Sequence, residues 1–209
     1  MTYMENIFIC MASPLLIAAL CMGKRHTGAF LFCFAGMGMC LLSAYLNTFF
    51  AALYGADAFA ATVEIAPVVE EGMKLLPLLF YLLVFEPQAR QIGIAAVITA
   101  LSFATFENIC YLIQNGAAHF SFIFFRGIGT GAMHVICGAI VGGGLAYVWR
   151  RLKIAGTCGL LGAAITFHAI YNLLIAYGGT AQYIAYLLPV GILAASKLIF
   201  IFFLKKFDF

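Results

Sequence analysis

Charge is what this sequence has least of: Asp, Glu, Lys and Arg make up only 9% of its 209 residues, while 65% are hydrophobic. An ordinary soluble domain is about 25% charged and 45–50% apolar, so this composition cannot build a water-facing surface. Other absences narrow the class further. The seven cysteines are an odd number with no CxxC pair, which excludes a disulfide framework and a thiolate metal site and leaves them as small buried hydrophobes. No HExxH occurs, so a zincin-type site is not indicated. The net charge of +3 comes from short basic clusters between apolar runs, with no aromatic-rich polar face, so no nucleic-acid partner is expected. Glu5 precedes the first apolar run and Lys24 and Arg25 follow it, the reverse of a signal peptide's basic start, and that run is expected to remain as a helix. Repeats, low-complexity tracts and linkers are missing as well.

What the chain does have is apolar runs, each near the ~20 helical residues needed to cross a hydrocarbon layer. They predict an all-α polytopic membrane bundle of about seven transmembrane helices, at roughly 6–22, 28–54, 58–85, 91–114, 121–149, 155–177 and 182–204. The runs fill the sequence, so residues 1–209 read as a single transmembrane domain in contact with the lipid bilayer, its motif-bearing core at about 58–177. Alternate connections are basic: Lys24 and Arg25, then Arg90, then Arg150, Arg151 and Lys153, then Lys205 and Lys206. The connections between them, at Asp57, Gln114–His119 and Gly178–Thr180, carry neither Lys nor Arg. By the positive-inside rule the amino terminus is expected outside a cell membrane and the carboxyl terminus in the cytoplasm.

Ionisable residues in mid-membrane cost ~2.5–3.5 kcal/mol each on insertion scales, which marks them as functional candidates. The third helix holds Glu64, Glu70, Glu71 and Lys74, the fourth Glu107 beside Asn108, the fifth Arg126 and His134, and the sixth His168 and Asn172. Lys74 lies one helical turn from both Glu70 and Glu71 and can pair with either. Two adjacent carboxylates in low dielectric repel, so one of them is expected to hold a proton or a water. Gly127, Gly131, Gly138 and Gly142 form one stripe shared with His134, which predicts close helix packing and an inward-facing histidine. Glu64, nearer a helix end, reads as a solvated or paired group, and Arg126 as snorkelling or holding an anion. A convergence of Glu70, Glu107, His134 and His168 on one cavity is expected.

Four motifs follow one another, each on its own helix: Glu70-Glu71-Gly-Met-Lys74 (EExxK), Phe103-Ala-Thr-Phe-Glu107-Asn108 (FxxxE then Asn), His134 alone, and His168-Ala-Ile-Tyr-Asn172 (HxxxN). Over roughly residues 60–175 this series resembles the PrsW family of bacterial intramembrane endopeptidases, which cleave membrane-anchored anti-sigma factors. It is similar in turn to the CAAX-prenyl and bacteriocin-processing endopeptidases, but Glu107 and Lys74 stand where the CAAX group has His and Arg. The resemblance implies an intramembrane peptidase acting on a membrane-anchored protein. On that reading Glu70 takes a proton from water and returns it to the leaving amine, while Glu71 is tied to Lys74 or helps to hold the water. His134 and His168 position the water or donate to the oxyanion, Asn172 is a neutral donor, and Glu107 orients a histidine. Lys74, Asn108 and Arg126 support the site. Glu70, Glu107, His134 and His168 could also bind Zn²⁺ if they converge, so glutamate and metal chemistry both stay open.

Two other functions fit parts of the pattern. A proton- or ion-coupled transporter also uses intramembrane carboxylates and histidines, but here no second set of polar residues mirrors the first. A non-catalytic scaffold would use the glycine face and would not need an ionisable Glu70.

Overall fold

The computed structural model describes residues 4–21, 24–116 and 119–207; the expected helix end at residue 22 and the middle of the 114–119 connection lie outside them. The described chain is helical throughout, without strands. Helix α1 spans Met4–Cys21 and α2 Lys24–Tyr54. Helix α3 covers 58–85, running through a short start at Ala58–Ala60, a π-helical turn at Ala61–Ile65 and the main stretch Ala66–Phe85. Helix α4 is Ala89–Asn115; α5 is Phe120–Gly143, prolonged by a second π turn at Gly144–Val148; α6 is Trp149–Tyr177 and α7 Gly179–Phe207.

Local chemistry sets the ends. Asp57 accepts a hydrogen bond from the Ala60 backbone N–H and starts α3. Glu86 in left-handed conformation, followed by Pro87, stops it. Gln88 and Gln91 form a reciprocal capping box on α4. Between α5 and α6 no loop intervenes: the helical path breaks only at Lys153, whose φ is 39°.

Six of the seven helices are long and apolar enough to cross a membrane. The seven expected spans become six by this measure because Ala66–Phe85, 20 residues long, carries Glu70, Glu71 and Lys74. Packing resolves the conflict, since α3 touches α2, α4, α5 and α6 and so buries its charges among helices and not in lipid. Helix α1 lies against α2, and α7 against α5 and α6. The outer surface is apolar; Leu20 (87% exposed), Ile154 (73%) and Phe80 (62%) would be out of place in water and suit acyl chains.

Only half of the glycine stripe packs as expected. A Cβ on Gly138 would meet that of Ala100 at 2.7 Å, and one on Gly142 that of Ala96 at 2.5 Å, so α4 and α5 approach backbone to backbone there. Nothing lies within 4 Å of a Cβ built on Gly127 or Gly131. Gly129, off the stripe, makes the other close approach, against the Tyr186 backbone of α7.

Candidate active site

Lys74 is the hinge of the buried cluster. Its Nζ donates to Glu71 Oε1 at 2.6 Å and lies 2.8 Å from His134 Nδ1, with the Phe103 ring 4.6 Å away. Periodicity left its glutamate partner open, and the fold selects Glu71. An ammonium has donors only, so His134 Nδ1 accepts, which places the ring proton on Nε2, where it is donated to Glu107 Oε2 at 2.7 Å. The same accounting applies to the second histidine. Glu71 Oε1 accepts from His168 Nδ1 at 2.7 Å, leaving the lone pair of His168 on Nε2.

That lone pair faces Glu70. His168 Nε2 and Glu70 Oε2 stand 3.9 Å apart, and Glu70 Oε2 is buried with no hydrogen-bond partner. The other oxygen of Glu70 has a single weak contact, Asn47 Nδ2 at 3.4 Å. Two facing acceptors at this separation are chemically incomplete; a group that supplies two protons or a positive charge to both completes them. Glu70 and Glu71 therefore differ completely in their surroundings although they are neighbours in sequence.

Glu70, Glu107 and His168 lie on the wall of a cavity of about 840 Å³. It runs from Asp57 and Ala58, at the start of α3, inward past Thr62 and Ala66, and is bounded opposite by Tyr111, Arg126 and Tyr171. Its wall runs from mid-helix residues such as Glu70 and Met133 towards the ends of the helices that carry no basic connection; none of Arg90, Arg151 and Lys153 lines it. A smaller cavity of about 210 Å³ shares Asn47, Glu70, Glu107, Tyr111 and Arg126 with it and is bounded by Met4, Cys40 and Cys110 on its far side.

Several expected placements are corrected. Asn172 does not turn to the cluster: its Nδ2 donates to the Thr62 backbone oxygen at 2.9 Å, capping the carbonyl of the π turn in α3. Of the two expectations for Arg126 the fold takes the second, holding an anion: its side chain is 15% exposed, donates to Glu107 Oε1 at 3.2 Å and stacks over Tyr111, 3.6 Å from the ring centroid. Asn108 lines neither cavity, and its Oδ1 is buried without a partner. Glu64, by contrast, is exposed, in keeping with the expected solvated group. Residues that periodicity passed over also enter: Asn47 beside Glu70, and Thr130 bonded to Tyr171 at 2.9 Å on the cavity wall. Asn47 was detectable as an isolated amide within a strongly apolar run.

The donor set can be tested against a divalent metal. One oxygen of Glu70 and one ring nitrogen each of His134 and His168 lie within 4.8 Å of one another. This is a His₂Glu set of the kind catalytic zinc uses, though zinc's ~2.1 Å bonds require ligand atoms to close to about 3.4 Å. Each histidine also has a carboxylate on its other nitrogen, the usual support for a ligating imidazole. Glu107 drops out of the expected set, because its oxygens serve His134 and Arg126. Glu70 and His168 fit the ion, whereas both nitrogens of His134 are engaged, Nδ1 by Lys74 and Nε2 by Glu107.

Residues 24–200 match the family described as PrsW family intramembrane metalloprotease. The chain belongs to this PrsW family. The match takes in α2 and most of α7, well beyond the 60–175 stretch carried by the motifs, and leaves α1 outside. Neither a curated protein nor a solved structure matches the chain. As a PrsW family member it is an intramembrane peptidase of the multi-pass membrane class, acting on a membrane-embedded substrate within lipid.

Proposed function

We propose that this protein hydrolyses a peptide bond of a membrane-anchored protein such as an anti-sigma factor, using water activated between Glu70 and His168. The observation that carries this reading is the pair of unsatisfied acceptors, Glu70 Oε2 and His168 Nε2, facing each other across 3.9 Å on the wall of the large cavity. A water there gives one proton to each acceptor, which orients its lone pairs towards a carbonyl in the cavity. Glu70 takes the proton as the water attacks and returns it to the leaving amine. Glu71, held by Lys74 and His168, fixes the tautomer of His168 and takes no part in proton transfer. Glu107, held by Arg126, does the same for His134. Asn172 acts on the cavity wall instead of on the oxyanion. When bound, a divalent metal held by Glu70 and His168 would polarise the carbonyl and acidify the water.

The same cavity supports the expected orientation. Its wall runs towards the ends opposite the basic connections, so with those connections in the cytoplasm water and substrate reach Glu70 from outside. The whole chain serves as one domain in this reading.

Glu70→Gln tests it. Wild-type protein in liposomes with single-span anti-sigma factors is expected to generate new amino termini, mapped by mass spectrometry. Glu70→Gln should slow this by about 10²–10⁴-fold, the usual worth of a positioned base. Undiminished cleavage by that variant sinks the assignment of Glu70.

A further inference from the structure

Lys74 had two glutamates within reach, each about one helical turn away, and spacing on its own helix allows either. The groups that hold it on the Glu71 side come from other helices. His134 on α5 accepts from Nζ at 2.8 Å, and Phe103 on α4 presents its ring 4.6 Å from Nζ and 5.2 Å, centroid to centroid, from the His134 ring. Phe103 is fully buried, so its face meets the ammonium without competing water. A desolvated cation over an aromatic face is held by the ring quadrupole. The ring lies against both Lys74 and His134 and so helps to keep the two partners together.

We infer that Phe103 is a positioning residue that parks the Lys74 ammonium on Glu71 and His134, and thereby leaves Glu70 unpaired and free to act on water. The inference rests on the proposed role of Glu70, but it concerns the device that keeps the two glutamates different. Without the ring, Lys74 swings one turn and pairs with Glu70, so that both carboxylates become structural.

The test reads that difference directly. A lipid-soluble carbodiimide adds to unpaired carboxyl groups, and mass spectrometry of the protein in liposomes gives the ratio of adduct at Glu70 to adduct at Glu71. Wild type is expected to react strongly at Glu70. Phe103→Leu should cut the ratio by about fivefold or more, the range of a desolvated cation–π contact. Because a leucine also changes packing, mono-, di- and trifluorophenylalanine introduced at position 103 keep the shape and weaken the ring's negative face stepwise. The ratio should fall in the same steps, and the rate of peptide cleavage with it. Equal labelling of both glutamates in wild type, or a ratio indifferent to fluorination, overturns the inference. Cleavage by Glu70→Gln would instead overturn the base assignment, so the two failures are separable.

Discussion

The two ends of this bundle use the same kinds of residue for opposite purposes. At the end near the basic connections, Ile92, Ala96, Cys137, Val141, Leu145 and Ala164 fill a continuous core, and Gly138 and Gly142 let α4 and α5 nearly touch. At the other end the same helix α5 offers Gly127 and Gly131 with nothing beside them, and Thr130, Tyr171 and Arg126 wall a large cavity. The charged cluster sits at the boundary, closed beneath by the core and open above to the cavity. A buried network is tolerable when every member is satisfied, and here the unpaired carboxylate oxygen belongs to Glu70, which lines the cavity.

This contrast can be broken in graded ways. Lys74→Met should have the largest effect on folding, because it leaves Glu71 buried with no cation. A loss of about 3–5 kcal/mol is expected, measurable as lowered thermal unfolding in detergent, and a variant as stable as wild type would show that the cluster is not fully desolvated. Next comes a sign reversal along one glycine stripe. Gly142→Val must push against Ala96 and should cost about 1–3 kcal/mol, whereas Gly127→Ala meets open space and should stabilise α5 by about 0.5–1 kcal/mol. Equal effects on unfolding would mean that the two ends pack alike. The mildest change is Thr62→Cys in a background lacking the native thiols. It should leave stability unchanged and react with membrane-impermeant maleimide added outside whole cells. Reaction only from the cytoplasmic face would reverse the proposed orientation.

Helix positions and the polar residues that mattered were readable from sequence, because both follow from what a bilayer forbids. The described helices lie where the apolar runs put them, and Glu70, Glu107 and His168 share one cavity as expected, while His134 is packed out of it against Lys74 and Glu107. What sequence could not give was phase and choice. The π turn at Ala61–Ile65 inserts a residue into α3, turning the Thr62 carbonyl towards Asn172, and a regular 100° wheel cannot contain that insertion. The partner of Lys74 was undecidable on one helix, because His134 and Phe103 make the decision from two others. Arg126, near a helix end, left snorkelling and anion holding open, and Glu107 and Tyr111 on α4 decide for the second.

Helix α1 carries none of the motifs and lies outside the region shared with the family, yet it is well attached. Glu5 bonds to Tyr45, and Phe8 packs against Phe34 and Phe106. Its Met4 forms part of the small cavity whose opposite wall includes Glu70 and Glu107. The region matched to the family thus contains the cluster, while a helix outside that region forms part of the chamber behind it. Substitutions in α1 can retune the surroundings of Glu70 while every motif residue stays as it is.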